Sequence, residues 1–154
     1  MTTTADLRAA VETYWSAAEA RDWEALAATL ADDVLYELPQ ARERVRGKER
    51  YLRFSQAFPG AWSVRVERVV ADAGTRRAAV RTRFIMNAAG SGAPGRPEAP
   101  RRSAAGSGAC ETPGELLTLH FFAFDEAGRI TGITDFRSGP YEPPAGREHL
   151  AERC

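Results

Sequence analysis

ELLTLHFFAFDEAGRITGITDFR, residues 115–137, reads as two β-strands around a DEAG turn, and this hairpin organises the rest of the chain. Strand side chains alternate between faces, so Thr118, His120, Phe122 and Phe124 share one face of the first strand. Thr131, Ile133 and Asp135 join them from the second. If Asp125 pairs with Gly128 across the turn, His120 lies opposite Ile133 and Asp135 sits diagonally from His120, roughly 7–8 Å away. Two ionisable side chains on an otherwise apolar strand face are candidates for chemistry, because a low-dielectric setting is costly for them and perturbs their proton affinity. A one-residue slip at Gly128 would separate them.

Working back from the hairpin, Trp62, Val64, Val66 and Val70 alternate, a DAGT turn follows, and Ala78, Val80, Thr82, Phe84 and Met86 alternate again. This predicts a second antiparallel hairpin. Between the two hairpins, residues 87–114 read NAAGSGAPGRPEAPRRSAAGSGACETPG, a Gly, Pro, Ala and Ser composition unable to build a core, and are expected to form a flexible insertion. The tail from 138 to 154 is expected to run extended, held so by Pro143-Pro144.

The N-terminal third is helical in pattern. Thr4 can cap a helix whose Leu7, Val11, Tyr14, Trp15 and Ala18 form one apolar stripe. Asp22 offers a second cap before Trp23, Leu26, Ala27 and Leu30, in a helix expected to end near Asp32 and Asp33. Val34, Tyr36 and Leu38 suit a short strand stopped by Pro39. After a polar loop, Gly47 precedes a third helix carrying Tyr51, Leu52, Phe54, Ser55 and Phe58, which Pro59-Gly60 ends. Three helices followed by long antiparallel strands make an α+β layout in one domain, residues 1–154. A bent sheet wrapped on helices leaves a concave interior suited to a small molecule.

Lys and Arg number 21, Asp and Glu also 21, so a net charge of zero gives no electrostatic basis for nucleic acid or an anionic membrane as the main partner. The chain has neither an apolar run long enough to span a bilayer nor a secretory leader pattern, and a cytoplasmic location is expected. Cys110 and Cys154 fit neither a disulfide framework nor metal-ligand spacing, and His149 has no second ligand at strand or helix spacing. No glycine-rich phosphate loop follows a strand. Neither a metal nor a cofactor is expected.

Three segments resemble the NTF2-like superfamily, in particular its SnoaL-like and ketosteroid-isomerase-like members. They are TYWSAAEARDWEALAATLADDVLYELP at 13–39, VRGKERYLRF at 45–54 and FDEAGRITGITDF at 124–136. The resemblance implies a cone in which a strongly curved antiparallel sheet wraps three N-terminal helices. It also implies an enclosed hydrophobic cavity, an apolar metabolite as partner, and a homodimer formed through the convex sheet face.

The resemblance further implies roles residue by residue. Tyr14 matches the helix-one tyrosine with which ketosteroid isomerases hold a developing enolate oxygen. His120 falls where those enzymes keep a protonated aspartic acid, and close to a histidine of SnoaL-like cyclases. Asp135 matches the inward last-strand aspartate that the cyclases use as acid and base. Desolvation in an apolar cavity would favour its taking up a proton. Leu38 occupies the isomerase base position and cannot take a proton, and Arg83 stands where limonene-type epoxide hydrolases have a second aspartate, although Arg81 matches their arginine. Asp135, His120 and Tyr14 are therefore the catalytic candidates. Tyr36, Leu38, Trp62, Phe122, Ile133 and Arg81 are the candidates for substrate contact. The activity implied is cofactor-independent cyclisation or isomerisation of an apolar, carbonyl-bearing, polyketide-like metabolite. Ligand binding without chemistry is the alternative, and epoxide hydrolysis a weaker one.

Overall fold

The computed structural model describes residues 1–58, 60–87, 114–139 and 145. The expected insertion and tail, with Cys110, His149 and Cys154, lie almost wholly outside the described residues. In chain order the elements are α1 (Thr4–Ala20), α2 (Trp23–Ala28), β1 (Leu30–Leu38), a 3-10 turn (Pro39–Ala41), β2 (Glu43–Arg46), α3 (Lys48–Gln56), β3 (Ala61–Asp72), β4 (Arg77–Asn87), β5 (Glu115–Phe124) and β6 (Ile130–Arg137). Among the described residues no helix is long and apolar enough to cross a membrane.

Helix α1 is capped by Thr3 rather than Thr4. The Thr3 hydroxyl accepts from Asp6 N at 3.2 Å and the Asp6 carboxylate accepts from Thr3 N at 2.7 Å, a reciprocal box that satisfies two otherwise orphaned donors. Its expected stripe is buried: Leu7, Val11, Tyr14, Trp15 and Ala18 all turn inward. Helix α2 stops at Ala28, short of the expected end, and Leu30 opens β1 instead. The reason is tertiary. Ile130 N donates to Thr29 O at 2.9 Å, so the backbone after α2 is taken into the sheet.

Among the described residues one six-stranded sheet runs in the order β2-β1-β6-β5-β4-β3. Its pairs are antiparallel with one exception, β1 with β6, which is parallel. The expected antiparallel pairing holds for four of the five described pairs; β1 and β6 are far apart in the chain, and no hairpin fixes their relative direction. Strand β2 occupies the stretch read as a polar loop. It is an edge strand whose side chains are mostly exposed, so it has no apolar alternation to reveal it.

Beside a register shift between Leu30 and Leu35 of β1, two irregularities in the described hairpins set which of their side chains face inward. In β3 the register shifts between Val66 and Arg68, making Glu67 an extra residue. The inward phase therefore moves to Val69, which packs on the core, and leaves Val70 59% exposed, against the expected alternation. In the β5–β6 hairpin, Asp125 N donates to Arg129 O and a further shift follows between Ala123 and Phe124. His120 consequently lies directly opposite Asp135, and Phe122 opposite Ile133. This register differs from the expected one by two residues, an even number, so both ionisable groups keep the same face and come closer together.

The helices cover the inner face of the curved sheet. Leu7, Val11, Leu26, Leu30, Val34, Val80, Phe122, Ile130 and Ile133 are almost wholly buried between them. The outer face carries Arg81, Arg83 and Glu67, and also exposed Leu119, Phe121 and Phe136.

Candidate functional site

The inner face of β5 and β6 meets α1, β1 and α3 around a cavity of about 70 Å³. That volume holds a few water-sized molecules, so a metabolite of ordinary size enters only if the wall side chains give way. Its walls are largely aromatic, with Asp135 as the carboxylate among the described lining residues.

Asp135 is 4% exposed, and its two oxygens have different surroundings. Oδ2 accepts from the Tyr36 hydroxyl at 2.7 Å and from Arg137 Nη2 and Nε at 3.1 and 3.2 Å. Charge-assisted bonds of this kind hold a carboxylate in position. Oδ1 accepts no hydrogen bond from the described residues, although His120 Nδ1 stands 3.5 Å away. The environment is thus not purely apolar as expected: the Arg137 guanidinium is built into it. Arg137 lies over the Phe58 ring at 5.4 Å and also reaches the Tyr36 hydroxyl at 3.4 Å.

His120 is fixed from its other side. Its Nε2 contacts Thr118 Oγ1 at 2.8 Å and Thr82 Oγ1 at 3.1 Å, and the two threonine hydroxyls are 2.6 Å apart. Burial lowers its pKa to about 4; Arg137 acts in the same direction, and Asp135 opposes both. The imidazole is therefore neutral near pH 7, with a single N–H. A proton on Nδ1 suits the facing carboxylate, and Nε2 then accepts from a threonine hydroxyl. Nε2 is thus engaged with the threonines, while Nδ1 faces Asp135 Oδ1 at 3.5 Å without a hydrogen bond to it.

The Tyr14 and Tyr51 hydroxyls share a hydrogen bond across α1 and α3. Burial raises the pKa of both, that of Tyr14 well above the usual phenol range with further contributions from Tyr51, Tyr36 and Asp135. Burial and the neighbouring Asp135 likewise push Tyr36 up. All three therefore stay protonated near neutral pH, and Tyr36 donates to Asp135. Trp15, one residue beyond Tyr14, also lines the cavity, and its Nε1 has no hydrogen-bond partner among the described residues.

Of the candidate residues, Tyr14, Tyr36, Trp62, His120 and Asp135 come together on the cavity wall. Phe122 lies behind that wall, its ring 5.3 Å from Tyr14. Leu38 and Ile133 are buried in the core and do not line the cavity. Arg81 points away from it: β4 alternation turns Thr82 inward and Arg81 outward, where its Nε donates to Glu67 at 2.7 Å. The expected contact between Arg81 and substrate is not supported by this placement. The arginine that meets Asp135 is Arg137, missed in the sequence reading, although two residues along a strand is the spacing that returns to the same face. Tyr51 and Trp15 were read only as members of helix stripes. Among the described residues no group of three or more His, Cys, Asp or Glu gathers as a metal-ligand set.

A family model described as the SnoaL-like domain matches residues 11–133. No curated protein matches the chain. Among solved structures, the chain is similar to a presumed ketosteroid isomerase from Kribbella flavida, at 36% identity and TM-score 0.78, covering 100% of this chain and 93% of that one. It is also similar to a presumed polyketide cyclase from Xanthomonas campestris, at 22% identity and TM-score 0.58, covering 87% and 91%. A Mycobacterium tuberculosis epoxide hydrolase of the LEH-like type gives 21% identity and TM-score 0.60, covering 88% and 84%. The last two likenesses concern the fold alone.

Proposed function

The chain belongs to the SnoaL-like domain family, and from that premise we propose that it is a cofactor-independent acid/base enzyme acting on an apolar, carbonyl-bearing, polyketide-like metabolite by cyclisation or isomerisation. The observation that carries this reading is the asymmetry of Asp135: Oδ2 is anchored by Tyr36 and Arg137, while Oδ1 is left without a donor at the cavity. In the proposed step Oδ1 removes a proton from the carbon beside a carbonyl, and the C–H electron pair forms an enolate. In cyclisation that enolate carbon attacks a second carbonyl and Asp135 returns the proton to the new alkoxide. In isomerisation the proton returns to another carbon of the same conjugated system.

Tyr14, supported by Tyr51, is the proposed donor to the enolate oxygen, a contribution of about 10²–10³-fold in rate per donor in comparable sites. His120 was expected to share that task. Because Thr118 and Thr82 hold its Nε2 and its Nδ1 faces the carboxylate at 3.5 Å, we assign it to positioning the carboxylate.

The test is α-proton exchange of apolar ketones such as 2-tetralone in D2O, comparing the wild-type chain with Asp135→Asn. Removal of a general base should slow exchange by about 10²–10⁴-fold. Unchanged exchange in the variant rejects the assignment. Ligand binding without chemistry is favoured by one observation, the engagement of the Tyr14, Tyr36 and His120 polar groups with one another's neighbours; ketone binding with no exchange in the wild type would establish it. Epoxide opening is the least supported reading, since the described lining residues supply one carboxylate and Arg81 faces outward.

A further inference from the structure

Two buried polar side-chain atoms lack a hydrogen-bond partner among the described residues, Asp135 Oδ1 and Trp15 Nε1, and both residues line the same cavity. They are opposite in kind, an acceptor and a donor. Trp15 is 5% exposed, and its ring meets the His120 ring at 4.7 Å between centroids; His120 Nδ1 in turn is 3.5 Å from Asp135 Oδ1. The orphan donor and the orphan acceptor therefore flank one imidazole. A buried indole N–H ordinarily finds an acceptor, and leaving it unmade costs more than an average hydrogen bond contributes. Among the described residues no neighbouring group supplies that acceptor.

We infer that Trp15 is a further catalytic residue, whose indole N–H receives the carbonyl oxygen of the ligand while Asp135 Oδ1 faces its acidic hydrogen. This rests on the acid/base reading above and deepens it by naming the ligand class: an enolisable ketone whose oxygen and acidic hydrogen sit on adjacent carbons. When Oδ1 takes the proton, the C–H pair becomes the new C=C bond and the carbonyl π pair moves onto oxygen. There the Trp15 hydrogen bond strengthens without transfer of the indole proton. An indole N–H is well suited to this, being a donor only and not titrating near neutral pH.

Phenol, a permanent enol, and toluene, the same ring without oxygen, are the probes. In ¹H–¹⁵N spectra of the full chain the indole signals of Trp15, Trp23 and Trp62 are resolved and assigned with Trp15→Phe. Phenol is expected to move the Trp15 indole proton downfield by several tenths of a ppm beyond any toluene effect. Trp15→Phe is expected to weaken phenol binding about tenfold, the loss of one good hydrogen bond, with toluene binding little changed. Equal responses to phenol and toluene, or no phenol binding at all, overturn the inference. If Trp15→Phe does not fold, Trp23→Phe and Trp62→Phe assign the other two indole signals, and the wild-type titration of the remaining one decides. Loss of α-proton exchange in Asp135→Asn alongside an unresponsive Trp15 rejects this inference and leaves the acid/base reading standing.

Discussion

His120 gains its neutrality from burial, and that has a consequence for stability as well as for chemistry. Its pKa falls from 6.5 to about 4 on folding. Between those values the unfolded chain takes up a proton that the native imidazole refuses, so native stability is full above pH 6.5 and declines as the pH drops toward 4. The charged groups facing it are Asp135, which would welcome the proton, and Arg137, which opposes it. The decline should amount to about 3 kcal/mol. Urea unfolding as a function of pH measures it, and His120→Gln should flatten the curve between pH 4 and 6.5. Asp6, Asp32, Asp72 and Asp125 have carboxyls held below the usual range, mainly by hydrogen bonds to nearby hydroxyl, amide, lysine or arginine donors, so their losses come at lower pH still. Tyr36 gives a second test at this scale. Its hydroxyl donates to a buried carboxylate, and Tyr36→Phe should lower unfolding free energy by about 2 kcal/mol in urea titrations.

At the scale of elements, the site depends on how short pieces are aimed. Helix α3 is preceded by Gly47 at its N-cap, whose φ of 87° and ψ of 144° lie in a region that other residues rarely occupy. Its N–H donates to Val34 O at 2.8 Å, and its carbonyl accepts from Tyr51 N at 3.0 Å, so this glycine ties α3 to β1 and sets the residue that holds Tyr14. A methyl group there would meet only Asp32 O at 3.8 Å, an ordinary contact, so the penalty of Gly47→Ala is backbone strain. We expect about 1–2 kcal/mol of destabilisation by urea titration and a shifted Tyr51 environment by NMR. The two bulged hairpins work similarly. Extra residues at Glu67 and near Thr131 decide which neighbours face inward, and neither bulge has a local signature beyond the nearby turn.

For the whole molecule, the parallel β1–β6 contact joins the N-terminal strand to the C-terminal hairpin and brings Tyr36 to Asp135. The other side of the sheet leaves Leu119, Phe121 and Phe136 about two-fifths to half exposed, with the Phe121 and Phe136 rings in edge contact at 5.9 Å. The homodimer implied by the family resemblance remains a proposal, in which a second copy covers this outer face. Light scattering should return twice the chain mass for the wild type and the single-chain mass for a Phe121→Glu, Phe136→Glu variant. A wild-type value at the single-chain mass rejects it.

Sequence alone determined the three helices, the two long hairpins and the shared inward face of His120 and Asp135, because periodicity, caps and turn residues act over a few neighbouring positions. Parity survived even where the assumed register was two residues off. Tertiary structure alone decided the parallel strand pair, the outward turn of Arg81, the pairing of Arg137 with Asp135, and the isolation of the Trp15 indole N–H. These depend on bulges and on contacts between residues up to about a hundred positions apart, such as Tyr36 with Asp135, and no local pattern encodes which distant donor will reach a given carboxylate.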